Sequence, residues 1–122
     1  MGLRHLDALQ SLKIPLISVA DPIRDACTEA IKAWHGDSTP NSYSSLAELL
    51  KIKVPNLLII ANTADGHAAQ ALHAIEAGVP MILLEKPVAT SLTACAELKS
   101  SSERNRTRIA VNHQMRFLPQ YQ

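Results

Sequence analysis

At 122 residues the chain has room for one sizeable core and not two, because folding at this length buries somewhat under ~70% of the surface an unfolded chain exposes. The near balance of 12 Lys and Arg against 11 Asp and Glu, with one Phe, two Tyr and one Trp, excludes a strongly charged nucleic-acid or anionic-membrane binder built on stacked aromatics. Cys27 and Cys95 form no CxxC pair and no apolar run exceeds strand length, so we expect a cytoplasmic protein with reduced thiols, no metal site, no nucleic-acid partner and no membrane span.

The order of elements is that of a parallel α/β fold. Leu3, Leu6, Leu9 and Leu12 recur on roughly one face of residues 3–12, which predicts an amphipathic helix. Residues 16–20 (LISVA) follow as a strand, then residues 23–34 as a helix that repeats Ala26, Ala30, Ala33 and Trp34; Asp21 before Pro22 is a helix-start signal. After a Ser/Thr/Pro/Asn-rich loop over 37–42, residues 44–50 read as a short helix. Residues 57–61 (LLIIA) are the next strand, residues 65–77 a helix stopped by Gly78, and residues 81–84 (MILL) a further strand. A helix opens after Thr90 or Ser91 and spends itself near residues 100–102, and a last strand covers 109–111 with its flanks. Lys99, Arg104, Arg106 and Arg108 then read as a helix end and loop, where cations are favoured; the Asn105-Arg106-Thr107 sequon reads as chance. Strands that are nearly continuous in apolar residues and alternate with helices are what βαβ units look like, with both sheet faces covered. We expect one α/β domain over 1–122, with no linker and no repeat.

Four clusters fall where such strands end, and ligands of open α/β sheets bind at the carboxyl ends of strands. Glu85-Lys86-Pro87 closes the strand 81–84: an ammonium there can orient a carbonyl or hydroxyl or bond a ribose, and Pro87 stiffens the turn and admits a cis bond. The bland alternative makes Glu85 and Lys86 the polar residues where a strand surfaces. Asp21 ends Val19-Ala20-Asp21, where a carboxylate takes hydrogen bonds from an adenosine ribose and repels a 2′-phosphate; it also suits an N-cap, and Arg24 close by weakens the preference for NAD over NADP. Asn62-Thr63-Ala64-Asp65-Gly66-His67 enters a helix whose free N–H groups suit a ribose or phosphate, with Thr63 or Asp65 as an ordinary cap the alternative. His67 and His73, six apart, cannot share a helix face as a metal pair. The last cluster, Asn112 to Pro119, follows the final strand, and a lone histidine such as His113 reads as structural.

In this order the residues resemble the N-terminal domain of the glucose-fructose oxidoreductase / inositol dehydrogenase (Gfo/Idh/MocA) family, along essentially the whole chain. Gly2-Leu3-Arg4-His5-Leu6 resembles the tail of the family's glycine-rich turn, Asp21 its ribose-binding acid, Asn62-Thr63 through His67 the segment lining the nicotinamide, and Glu85-Lys86-Pro87 its signature. Asn112-His113-Gln114-Met115-Arg116-Phe117 resembles the lead into a second domain. The resemblance implies a Rossmann-like fold and an NAD(P)-dependent oxidoreductase acting on CH–OH groups of a sugar, inositol or related polyol, with NAD favoured and NADP not excluded. It implies Lys86 as the catalytic residue, aligning substrate or nicotinamide ribose. Gly2, Asp21, Asn62, Thr63, His67, Glu85, Lys86, Pro87 and Asn112 would form the cofactor site. A homo-oligomer through the second domain is also implied.

Two departures bear on activity. The chain opens on a helix at what matches the third glycine of the turn, so the first strand and two glycines are expected to be missing, as is the second domain after Gln122. In strand order 3-2-1-4-5-6 the missing strand is central, and losing about five ladder bonds a side at ~0.5–1.5 kcal/mol each is severe against a total of ~5–15. Either strands 16–20 and 57–61 pair directly, or a partner fills the slot, or the chain is part of a longer protein; we favour the last. We expect Asp21, Thr63 and Lys86 around one crevice, weak or no NAD binding by the chain alone, and no turnover. Two rivals remain. One is a non-catalytic binding or assembly member of the family; the other is a phosphoacceptor receiver, which would need an aspartate where Asn62 stands and would finish with a helix after Lys-Pro.

Overall fold

The computed structural model describes residues 2–121, which gather into two compact units, one running to Val54 and the other starting at Pro55. Each carries its own parallel sheet.

In the first unit, helix α1 (Gly2–Ser11) buries Leu6 and Leu9 but leaves Leu3 and Leu12 exposed. The four-leucine stripe is thus buried only in its middle, since Leu3 sits in the first turn and Leu12 lies past the last helical residue. Lys13 takes a left-handed φ of 56° and Ile14 N–H bonds back to Leu9, which closes the helix. Strand β1 (Ser18–Ala20) is shorter than the expected 16–20. Helix α2 (Arg24–Ala33) packs on it and on α1 and buries Cys27. Overlapping the end of the segment 37–42 expected to be a loop is a second strand, β2 (Asn41–Tyr43), parallel to β1 with Ser18, Val19 and Ala20 opposite Asn41, Ser42 and Tyr43. Asn41 N–H donates to Ile17 and Asp21 N–H to Tyr43, so pairing rests on main-chain bonds and asks little of side-chain hydrophobicity. Helix α3 (Leu46–Ile52) has a reciprocal cap: Ser45 Oγ accepts from Glu48 N–H, and Glu48 Oε2 accepts from the Ser44 N–H and hydroxyl. Those bonds hold the Glu48 carboxyl below its ordinary range.

The second unit has strand order β3-β4-β5, with β3 (Leu58–Ile60), β4 (Met81–Glu85) and β5 (Arg108–Asn112) all parallel, as their apolar runs predicted. Helix α4 (His67–Glu76) joins β3 to β4, and α5 (Leu92–Asn105) joins β4 to β5; the two helices pack together. Ile60, Ala71, Ala74, Ile75, Val79, Ile82, Leu84 and Leu98 are buried and form the core. Each large aliphatic side chain so buried contributes about 1.5–3 kcal/mol of transfer free energy.

Helix α4 ends as its glycine predicted. Gly78 has φ 88°, its N–H bonds to Ile75, and Val79 N–H bonds to Ala74, the Schellman pattern, with Val79 buried. Helix α5 starts at Ser91, whose hydroxyl accepts from Ala94 N–H at 3.1 Å. It runs past the expected 100–102 to Asn105, because Ser101 is buried and the polar residues beside it face solvent. Arg106 then caps it at φ 55°. Thr107 donates its hydroxyl to Val79 O at 3.1 Å and Arg108 N–H donates to Pro80 O at 2.9 Å, which sets β5 level with β4.

Candidate functional site

Parallel pairing fixes where the polar residues emerge. Ile60 lies opposite Leu84, and Glu85 opposite Asn112, so the three strands of the second unit finish level and Asn62, Lys86 and Asn112 leave from one edge.

At the end of β4 adjacent residues have opposite environments. Glu85 is 4% exposed, and its Oε1 accepts from Asn112 Nδ2 at 2.8 Å across the last rung of β4 and β5. Lys86 is exposed, so its ammonium is available to a ligand. The Lys86–Pro87 peptide is cis.

At the end of β3, Asn62 and Thr63 are exposed and lead into a single 3-10 turn, Ala64–Gly66, before α4. The Thr63 side chain does not cap the turn; it donates to the Asp65 carboxylate, and that bond is the largest cause of a lowered Asp65 pKa. Bonds from the Asp65 and Gly66 main chain and the His67 charge act in the same direction. Gly66 lies under Asn62, and a Cβ there would run into Asn62 Nδ2. From the residues alone Gly66 has no assigned role; a glycine in a turn between a strand and a helix is the signal for such close approach. His67 is 1% exposed, with Nδ1 2.6 Å from Pro87 O and Nε2 3.0 Å from Asn62 O. Its ring therefore meets the main chain of two site turns and no solvent.

After β5, His113 and Arg116 join Val111, Met115 and Phe117 around an open, mainly apolar hollow; Phe117 is 74% exposed. A segment that reads as polar in sequence thus presents carbon at this edge.

In the first unit, Asp21 follows β1 at the carboxyl end of its own parallel pair. Its Oδ1 accepts from Ile23 N–H at 2.8 Å, so one oxygen orders the turn into α2 and the other is left for a ligand hydroxyl. Asp21 is therefore not the N-cap its position suggested: Ile23 holds that place, and the carboxylate orders the turn before it. Helix α2 starts at Arg24 rather than Pro22, with Arg24 exposed. Gly2 is the first residue of α1 and exposed, with open space around its α-carbon.

Among the described residues no three His, Cys, Asp or Glu side chains cluster as metal ligands, and no helix is long and apolar enough to cross a membrane.

Comparison with known proteins gives one consistent relationship. Residues 1–113 match the model of the oxidoreductase family with an NAD-binding Rossmann fold, GFO_IDH_MocA. The chain is 32% identical over 114 residues to oxidoreductase cns1 of Cordyceps militaris, covering 93% of this chain and 14% of that protein. Among solved structures it resembles the WlbA dehydrogenase of Bordetella pertussis in complex with NADH and UDP-GlcNAcA, with TM-score 0.86 and 22% identity over 97% of this chain and 35% of that one. It also resembles myo-inositol dehydrogenase of Lactobacillus casei in complex with NAD(H) and myo-inositol, with TM-score 0.85 and 22% identity over 98% and 35%. The chain spans about a seventh of the curated relative and about a third of these structures. The match over nearly its whole length makes the chain a member of the Gfo/Idh/MocA oxidoreductase family, in its NAD-binding Rossmann part.

Proposed function

We propose that this chain supplies the cofactor-binding part of an NAD-dependent oxidoreductase acting on a CH–OH group of a sugar, inositol or related polyol. The observation that carries the reading is an exposed Lys86 directly after a buried, Asn112-bonded Glu85, at an edge where three parallel strands end level. Ligands of such sheets bind along that edge.

The residues fit the group. Bound nicotinamide supplies the hydride acceptor or donor. Lys86 offers three N–H donors to a substrate oxygen or ribose hydroxyl and so orients the reacting carbon, and its charge favours the alkoxide character that grows on that oxygen as hydride leaves. Asp21 accepts from adenosine ribose hydroxyls with the oxygen that Ile23 does not use, and disfavours a 2′-phosphate; exposed Arg24 tempers that preference, so NADP is the second cofactor to test. Asn62 and Thr63 offer side-chain donors beside the turn into α4, and Pro87 and Asn112 hold the shape of the edge. Sugar or inositol ligands in the solved relatives support a polyol substrate.

The alternative of a non-catalytic binding member differs in one respect, turnover. The receiver alternative is disfavoured because β5 follows the Lys-Pro turn and Asn62 stands at the end of β3. The test is two-dimensional NMR of the labelled chain with NADH at millimolar concentration, sensitive enough to register even weak binding. Shifts at the Thr63, Lys86 and Val88 amides support the reading; shifts scattered over the surface, or equal shifts with a flavin dinucleotide, overturn it.

A further inference from the structure

The two contacts of the buried His67 ring are unusual in both being to main-chain carbonyl oxygens, one on each of two turns that the proposed cofactor site uses. Pro87 O belongs to the residue after Lys86, and Asn62 O to the residue that leads out of β3. Carbonyl oxygens only accept, so a ring nitrogen bonds either of them only when it carries a proton. A neutral imidazole donates to one and sets its lone pair against the other; a ring with both protons donates to both. At 1% exposure the ring cannot exchange these partners for water, and a ring nitrogen that loses its partner is left buried and unpaired.

We propose that His67 is the positioning residue of this site: a ring that spans from Asn62 O to Pro87 O and fixes the Asn62–Thr63 turn and the Lys86–Pro87 turn at one spacing. This deepens the proposed function and rests on it only for what the two turns hold. Its place in the sequence groups His67 with the residues that touch cofactor; its burial gives it an indirect part, through Lys86 on one side and Asn62 on the other.

Side-chain amides test it, because the Asn amide nitrogen reproduces the Nδ1 position of histidine and the Gln amide nitrogen the Nε2 position. In the full chain, His67→Asn keeps a donor toward Pro87 O and is expected to shift the Thr63 amide resonance while leaving Val88 nearly in place. His67→Gln keeps a donor toward Asn62 O and should do the reverse. His67→Leu should shift both and abolish the NADH-induced shifts at Lys86. In the unaltered chain, labelled histidine should show a slowly exchanging ring N–H proton on His67, as a buried donor to a carbonyl requires. If Asn and Gln variants move the same amides, or Leu moves neither turn, the bridge is not what sets the spacing. Absence of NADH binding by the unaltered chain would leave these shifts, which need no cofactor, to decide the bridge. Should His67→Leu not fold, the two amide variants still decide it.

Discussion

Asn112 donates to Glu85 Oε1 at 2.8 Å, joining the last residue of β5 to the last residue of β4 directly beneath the exposed Lys86. A side-chain bond on the closing rung of two strands holds the edge square where main-chain pairing stops. Asn112→Ala removes this donor from a buried carboxyl group, and we expect a loss of about 1–3 kcal/mol in urea unfolding. A change well below that range would mean the pair is incidental.

Gly66→Ala should affect binding more than stability. The new methyl group meets only the end of the flexible Asn62 side chain, so the fold tolerates it, at a cost of less than about 1 kcal/mol, by turning the carboxamide away. NADH-induced shifts at the Thr63 amide should fall while the thermal midpoint stays within a few degrees; a large drop in that midpoint would show that backbone, not Asn62, gives way.

Much of this was legible in the residues. The second unit could be read almost element by element, because its strands are rich in apolar residues and Gly78 stops α4 at a left-handed position only glycine fills cheaply. Strand β2 could not, since Asn41-Ser42-Tyr43 pairs through main-chain groups that every residue has. The site was legible as positions and not as geometry. Lys86 and Asn62 could be placed at strand ends from the sequence, but nothing in a one-letter string says that His67 faces inward to two carbonyls or that Gly66 lies under Asn62.

The Asp65 carboxyl should titrate below the ordinary aspartate value of 3.8, chiefly because of the Thr63 hydroxyl. A carboxyl whose pKa is depressed by folding stabilises the turn above its unfolded value, and that contribution is lost as pH falls through the lower folded one. Carbon-detected NMR should place the Asp65 midpoint under 3.8, and Thr63→Val should bring it back up. A midpoint unmoved by that substitution would show that the hydroxyl is not the cause.

Arg106→Gly should stabilise the chain by about 0.5–1 kcal/mol. Arg106 ends α5 at φ 55°, a conformation costing a side-chain-bearing residue roughly 1–2 kcal/mol, which glycine avoids at some expense of unfolded-state entropy. A higher urea midpoint with unchanged slope is the expected result, and a lower one would mean that the arginine side chain holds α5 in some other way.

Lys86→Met should leave the unfolding midpoint within about 0.5 kcal/mol, as for other exposed sites, while removing the NADH-induced shift at Val88. Equal loss of stability and binding would place Lys86 in the scaffold instead.

One step along the chain, from Glu85 to Lys86, separates the interior from the solvent. A substitution of the outward residue can therefore leave the inward one, and the rung it closes, standing.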